Sequence, residues 1–159
     1  MGQLRTLELV RERRLEKAQR ALYGAVLAQK KAQEEFTSAK AILADFVERL
    51  PGIVEVLFRP VMNKPTDVPV IGEILQEELQ LTKKVAQLEK EVLTKQTSLE
   101  AANAQVEAAR AALMACERKK LALDELVKQD NVVQYRTAQK QLGKVLDEFS
   151  GNRYVAKMC

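Results

Sequence analysis

The four prolines of this chain all lie in one short window. They are Pro51, Pro60, Pro65 and Pro69. Residues 1–50 and 70–159 contain no proline. Proline interrupts an α-helix because it has no backbone N–H donor and clashes with the preceding turn. The distribution therefore predicts two long uninterrupted segments on either side of one break.

The composition favours helices and argues against an enzyme. Ala, Glu, Lys, Leu and Arg supply 84 of the 159 residues, as is typical of coiled coils and long helices. The chain has no His and no Trp. Without His there is no His-containing catalytic triad, no His-ligated zinc and no ordinary pH switch. We therefore predict no catalysis, no cofactor and no metal.

Residues 3–50 carry apolar side chains in a seven-residue repeat. The large residues of this first seam are Leu15, Leu22, Phe36, Leu43 and Leu50, with Gln29 as the exception. Its second set is Ala18, Ala25, Ala32, Ala39 and Phe46. Small residues at one position of the repeat let two helix backbones approach closely. The first seam therefore predicts a helix packed against another helix.

The segment after the prolines has a second seam with the same repeat. One set of its residues is Val85, Val92, Leu99, Val106, Leu113, Lys120 and Val127. The other is Ile74, Leu81, Leu88, Lys95, Ala102, Ala109, Cys116 and Leu123. The repeat then restarts one residue late, and this C-terminal stripe consists of Tyr135, Ala138, Leu142, Val145 and Phe149. Such a phase shift indicates a change of supercoil or the end of the paired region.

These patterns predict an all-α chain folded as an elongated antiparallel two-helix coiled-coil hairpin with unequal helices. We expect one domain over 1–159, with an irregular Pro-rich connection. Its parts are a helix over 3–50, the connection over 51–71, a helix over 72–149 and a tail over 150–159. Gly151 and Asn152 are expected to end the second helix.

Two registers are compatible with the pattern. Facing Ala seams would place Ala28 opposite Ala109 and would leave residues 72–86 projecting beyond the first helix. A compact connection would instead place Leu4 near Arg118 and the projection at the C-terminal end. We favour the first register because it brings the two Ala-rich stretches together.

The net charge is +4, and it is unevenly distributed. Residues 1–31 and 118–144 are basic, whereas residues 32–100 are acidic. The basic cluster consists of Arg11, Arg13, Arg14, Lys17, Arg20, Arg118, Lys119 and Lys120. Its alternative interpretations are a salt-bridged solvated helix face, a site for an acidic protein and, least favoured, a nucleic-acid site. Few aromatics are available for base stacking, so we expect no nucleic-acid partner.

No uncharged apolar stretch reaches the length of a membrane span, and the two cysteines make no disulfide framework. A cytoplasmic protein without direct membrane insertion is expected. The first residues match the short N-myristoylation pattern, which we regard as a weak signal. No phosphate-binding glycine motif is present.

The segment from Leu9 to Leu22, with the pattern R-x-x-R-x-E-x-A, resembles the N-terminal helix of the YscO/FliJ family. A second basic stretch, Glu117 to Lys120 followed by Glu125 to Val127, resembles the family's long second helix. These are the central stalk proteins of type III secretion and flagellar export.

The resemblance implies a non-catalytic stalk at the cytoplasmic face of a secretion apparatus. It implies that the basic cluster contacts a hexameric ring ATPase and that the opposite end contacts an export-gate protein, with secretion chaperones as further partners. By position we assign the gate contact to Leu57, Phe58, Val61 and Met62. A generic coiled-coil scaffold or escort chaperone is the alternative, and a basic nucleic-acid binder is less favoured.

Overall fold

The chain consists of two α-helices and a short connection, as the sequence predicts. The computed structural model describes residues 2–62, 65 and 67–158, with side chains up to residue 151. Helix α1 spans Gly2–Phe58, a 3-10 turn spans Arg59–Val61 and helix α2 spans Val68–Met158. No strand occurs in these ranges, so the all-α prediction is confirmed. Parts of the predicted connection, Asn63, Lys64 and Thr66, lie outside the described residues, as do Met1 and Cys159.

Helix α1 does not end at Leu50 as predicted, because Pro51 lies inside it. A proline in a helix interior removes one hydrogen bond and costs about 3 kcal/mol. The helix continues because the apolar spacing of the first seam continues: Leu50, Val54 and Leu57 are all half-buried. The carbonyl that lacks a donor because of Pro51 is that of Val47, four residues earlier. Both residues are exposed, so water can donate a hydrogen bond to this carbonyl instead. Packing of the seam therefore outweighs the local effect of proline.

The connection is shorter than the predicted 51–71, because α2 begins at Val68 and not at residue 72. The Asp67 carbonyl accepts hydrogen bonds from the backbone N–H groups of Val70 at 3.1 Å and Ile71 at 3.3 Å. Pro69 lies in this first turn, where a backbone N–H has no intrahelical partner to lose. The last proline of the window therefore belongs to the start of α2.

Helix α2 also extends past its predicted end at residue 149, since it runs through Gly151 to Met158. Glycine ends a helix when it adopts a left-handed conformation, and Gly151 keeps the helical backbone instead. Most of the predicted tail over 150–159 is therefore helical.

Contacts divide the chain into two compact units, and both helices contribute to each. The terminal unit comprises Met1–Arg20 and Ala111–Cys159, and the central unit comprises Ala21–Arg110. The single domain over 1–159 therefore stays a prediction.

The two seams form the core of both units. Four buried side chains belong to the central unit: Phe46, Ile74, Ala102 and Val106. Among the described residues of the terminal unit, the buried one is Leu123. All five were assigned to a seam from the sequence, and every other predicted member of either seam is half-buried. The seven-residue repeat therefore identified the buried face of each helix.

Polar contacts set the pairing of α1 and α2 in the central unit. Gln29 Nε2 donates a hydrogen bond to Asn103 Oδ1 at 2.7 Å, and Lys95 Nζ lies 3.2 Å from Glu35 Oε2. Because a higher number in α1 is paired with a lower number in α2, the helix segments run antiparallel here. The favoured register, with Ala28 opposite Ala109, is therefore wrong by several residues.

The longer α1 changes which parts of the two helices lie side by side near the connection. Residues 51–58 form two further helical turns, which lie beside the segment of α2 that the sequence predicted to project. Ile53 and Leu57 line one groove together with Glu77 and Leu81. The compact-connection alternative is not met either, since Leu4 lines a groove with Val127 and Asp130 and not with Arg118.

In the terminal unit, charged residues take part in the contact between α1 and α2. The start of α1 lies beside α2, where Leu4 and Glu8 line one groove with Val127 and Asp130. Residues 131–142 of α2 are all exposed, and no described residue of α1 covers them. The unpaired part of α2 is therefore its C-terminal part.

Candidate partner-binding surfaces

The basic cluster lies entirely in the terminal unit. Five of its members follow one another along α1, and the other three are consecutive residues of α2. Six of the eight side chains are exposed. Arg11 and Lys120 are half-buried, because each occupies a position of the seven-residue repeat. The exposed members are therefore the better candidates for a partner contact.

None of the eight basic side chains forms an ion pair within the described part of the chain. The ion pairs among the described residues join Arg49 to Asp45, Arg59 to Glu55, Lys95 to Glu35 and Arg110 to Glu107. No member of the basic cluster lies within 4.0 Å of a carboxylate in this part of the chain. The interpretation of the cluster as a salt-bridged helix face therefore finds no support in these contacts.

Three members of the basic cluster share the outer face of α1. Arg13, Lys17 and Arg20 follow the i, i+4, i+7 spacing that places side chains on one side of a helix. They are exposed, whereas the neighbouring seam residues Leu15 and Ala18 are half-buried. Three cations on one face, unpaired among the described residues, give this face of the helix a local positive charge.

The residues assigned to the gate contact surround two open grooves near the connection. Leu57 lines the first groove, of about 480 Å³, whose other lining residues are Ile53, Val56, Glu77, Gln80, Leu81 and Lys84. The walls of this groove come from both α1 and α2. Its apolar floor is therefore flanked by one carboxylate, one amide and one ammonium group.

Phe58 and Met62 line the second groove, also of about 480 Å³. The remaining lining residues are Leu50, Pro51, Val54 and Glu55. Of the four assigned residues, only Met62 is exposed, at 57%. Leu57, Phe58 and Val61 are half-buried, and Val61 lines neither groove. The structure thus places three of the four on groove walls, with Leu57 apart from Phe58 and Met62.

A further apolar surface at the start of α2 was missed in the sequence. It consists of Val68, Ile71, Leu75 and Leu79, and all four side chains are exposed. Their spacing of three, four and four residues places them on one face of the helix. The seam residue Ile74 next to them is buried, whereas these four side chains lie beside the seam and stay exposed. The signal was a second apolar repeat, which is displaced from the seam and mixed with the seam residue Ile74 in the sequence.

The described residues show neither a membrane-spanning helix nor a metal site. No helix among them is both long and apolar enough to cross a bilayer. No group of three or more Cys, Asp or Glu side chains in the same part of the chain is placed to hold a metal ion.

Comparisons with protein-family models, with curated proteins and with solved structures found no match for this chain. The resemblance to the YscO/FliJ family therefore stays a prediction that rests on the quoted segments.

Proposed function

We propose that this protein is a non-catalytic central stalk of a type III secretion export apparatus. In this role it couples a hexameric ring ATPase to an export-gate protein at the cytoplasmic face of the apparatus. The observation that carries the proposal is the basic cluster, whose eight cations have no internal carboxylate partner among the described residues. Unpaired cations concentrated in one unit favour a contact with an acidic partner.

The fold that we propose for this function is an elongated antiparallel two-helix coiled-coil hairpin. The continuous burial of both seams supports it, together with the antiparallel order of the contacts from Gln29 to Asn103 and from Glu35 to Lys95. Small and large residues alternate along the first seam, as close helix pairing requires. Of the described residues between the 3-10 turn and Val68, none is helical.

The export-gate contact belongs, in this proposal, to the apolar surfaces around the connection. Leu57, Phe58, Val61 and Met62 provide it together with the exposed face of Val68, Ile71, Leu75 and Leu79. Exposed apolar faces at helical spacing are suited to binding an apolar groove or another helix. Secretion chaperones would compete for the same surfaces.

Charge reversal tests the ATPase contact. The variant Arg13→Glu, Lys17→Glu, Arg20→Glu changes the net charge by six units on exposed positions away from the seam. We expect binding to the purified secretion ATPase hexamer to weaken at least about tenfold, because like charges then face the acidic partner. The stimulation of ATP hydrolysis should fall in parallel.

A matched control has the same charge change outside the basic cluster. Lys30, Lys31 and Lys90 are exposed and take part in no ion pair among the described residues. Their reversal to Glu should leave ATPase binding within about twofold of the unmodified protein. Equal binding by both triple variants at low and moderate salt would remove the basic cluster from the proposed contact.

A generic coiled-coil scaffold is the second candidate, and the exposed face at the start of α2 favours it. Such a protein would bind its partners through Leu75 and Leu79 and would have no effect on any ATPase. Replacing both leucines with Gln distinguishes the two candidates: a scaffold loses its partners, whereas a stalk keeps the ATPase contact and loses only the gate contact.

A further inference from the structure

The C-terminal stripe is the longest apolar face of the chain that no described residue covers. Tyr135 is 65% exposed, Leu142 60%, Val145 59% and Phe149 61%. Ala138 between them is also exposed. These residues follow the seven-residue repeat of the seams. Because α1 begins beside Val127 and Asp130, no described part of α1 lies against the C-terminal stripe.

We propose that the C-terminal stripe binds a second copy of this chain, with the two α2 segments antiparallel. The proposal goes beyond the stalk function and does not rest on it. It uses only residues 132–149, which belong to the terminal unit.

The width of the stripe indicates that its partner is a single helix. Its members recur every three and four residues, which is the two-residue seam of a coiled coil. Earlier in the same helix, the second-seam residues have this spacing, and they are buried or half-buried in the central unit. The C-terminal stripe therefore continues an interface type that this chain already uses.

The side-chain volumes along the stripe are complementary to themselves in the antiparallel direction. When two copies are centred between Leu142 and Val145, each Leu142 faces a Val145 of the other copy. Each Phe149 then faces an Ala138, so a large ring meets the smallest side chain of the stripe. A parallel pair in register would place two Phe149 rings together and leave a void between two Ala138 residues, which close packing disfavours.

The charges of the segment also permit two copies to approach. The positions that flank the stripe are Gln134, Gln139, Gln141, Leu146 and Glu148, so a single flanking position is charged. Arg136, Lys140 and Lys144 lie on the opposite face of the helix. No like charges are therefore brought together across the pair.

The polar end of Tyr135 already has a partner within its own helix. Gln139 Nε2 donates a hydrogen bond to the Tyr135 hydroxyl oxygen at 2.8 Å. The ring can therefore be covered without leaving this hydroxyl unpaired.

The size of the stripe predicts a weak dimer. The fifteen residues from Tyr135 to Phe149 span about 22 Å of helix. Two aromatic and three aliphatic side chains, each partly exposed, give roughly 400 Å² of buried area per copy. This lies below the area of a standard stable interface, so we expect a dissociation constant on the order of 10–100 µM.

Sedimentation velocity of the full chain between about 2 and 500 µM tests this directly. We expect the unmodified protein to pass from monomer to dimer over this range. The variant Leu142→Glu, Val145→Glu should stay monomeric at every concentration. The control Lys140→Glu, Lys144→Glu on the opposite face should dimerise as the unmodified protein does. Circular dichroism identifies any variant that has lost helix.

The direction of the pair is tested by cysteine crosslinking. In a background with Cys116→Ser and Cys159→Ser, a mixture of Leu142→Cys and Val145→Cys chains should form the mixed disulfide readily, and Tyr135→Cys chains should not crosslink to each other. Efficient crosslinking of Tyr135→Cys alone would overturn the antiparallel arrangement. A protein that stays monomeric at 500 µM, or a dimer that survives Leu142→Glu, Val145→Glu, would overturn the proposal.

Discussion

Replacing Val106 with Ala tests the packing of the two helices at its most buried position. Val106 is 1% exposed and is the most deeply buried of the described side chains. The hydrogen bond from Gln29 to Asn103 places Ala25 opposite Val106. Ala25 is one turn before Gln29 in α1, and Val106 is one turn after Asn103 in α2. Because Ala25 is small, the α1 backbone can approach and cover the Val106 side chain.

The expected loss of stability follows from the atoms removed. Two buried methyl groups contribute about 1.6 kcal/mol by transfer out of water. The cavity that they leave adds about 1 kcal/mol when the helices do not relax. Ala is the better helix former by about 0.6 kcal/mol, which opposes this loss. We therefore expect Val106→Ala to lower the free energy of unfolding by about 2 kcal/mol.

Urea denaturation followed by circular dichroism measures this change, and Val47→Ala is its control. Val47 also lies in a helix of the central unit, but it is 47% exposed. Its replacement keeps the gain in helix propensity and removes little buried area, so we expect a change within about 0.5 kcal/mol. Equal midpoints for the two variants would contradict the assignment of Val106 to the helix interface.

Three further substitutions test other parts of the fold by the same denaturation assay. Pro51→Ala restores a backbone donor inside α1 and should stabilise the protein by about 1–3 kcal/mol; a destabilised variant would contradict a continuous helix through residue 51. Gly24→Ala should stabilise by about 0.5–1 kcal/mol, since a Cβ there meets no atom within 4 Å, and a loss of stability would indicate an unrecognised close contact. A double-mutant cycle with Glu35→Gln and Lys95→Met should give a coupling free energy of about 0.5–1 kcal/mol. This coupling should decrease in 1 M salt, because both side chains are about 40% exposed. A coupling of zero would remove this pair from the contacts that set the register.

The buried face of each helix was predictable because a seven-residue repeat is a property of the sequence alone. All five buried residues, from Phe46 to Leu123, occupy predicted seam positions. Helix packing needs only the right side chains at the right spacing, and both are visible in the printed sequence.

The helix ends were not predictable, because they depend on a competition between local and tertiary effects. Pro51 and Gly151 are the residue types that usually end helices, yet both lie inside α1 or α2. For Pro51 the outcome is decided by the seam residues around it, Leu50 and Val54, whose burial is a property of the folded pair. Local sequence rules include the helix-breaking effect of proline, but they do not include the tertiary packing that opposes it.

The register could not be predicted for the same reason. The favoured register assumed that the two Ala-rich stretches face each other, and the alternative assumed an α1 that ended at Leu50, eight residues before its observed end. The polar contact between Gln29 and Asn103 defines the observed pairing, and Gln29 was recognised only as an exception in the first seam. Polar residues at seam positions therefore carry register information that apolar periodicity lacks.

The candidate surfaces were predictable to different extents. The basic cluster follows from the sequence, since charge is read directly, but the half-burial of Arg11 and Lys120 depends on the repeat that they share with the seams. The exposed face at the start of α2 was not recognised because Ile71 and Leu75 stand close to the seam residue Ile74 in the sequence. Only the direction of Ile74 into the core separates the two faces.

Site-specific crosslinking in the native cell tests the central claim most directly. A photoreactive amino acid in place of Arg13 samples the outer face of the basic cluster, and the same residue in place of Lys30 samples an exposed position outside it. The stalk function predicts a covalent adduct with a ring ATPase from position 13 and none from position 30. Nucleic-acid adducts from position 13, or the same protein adducts from both positions, would contradict it.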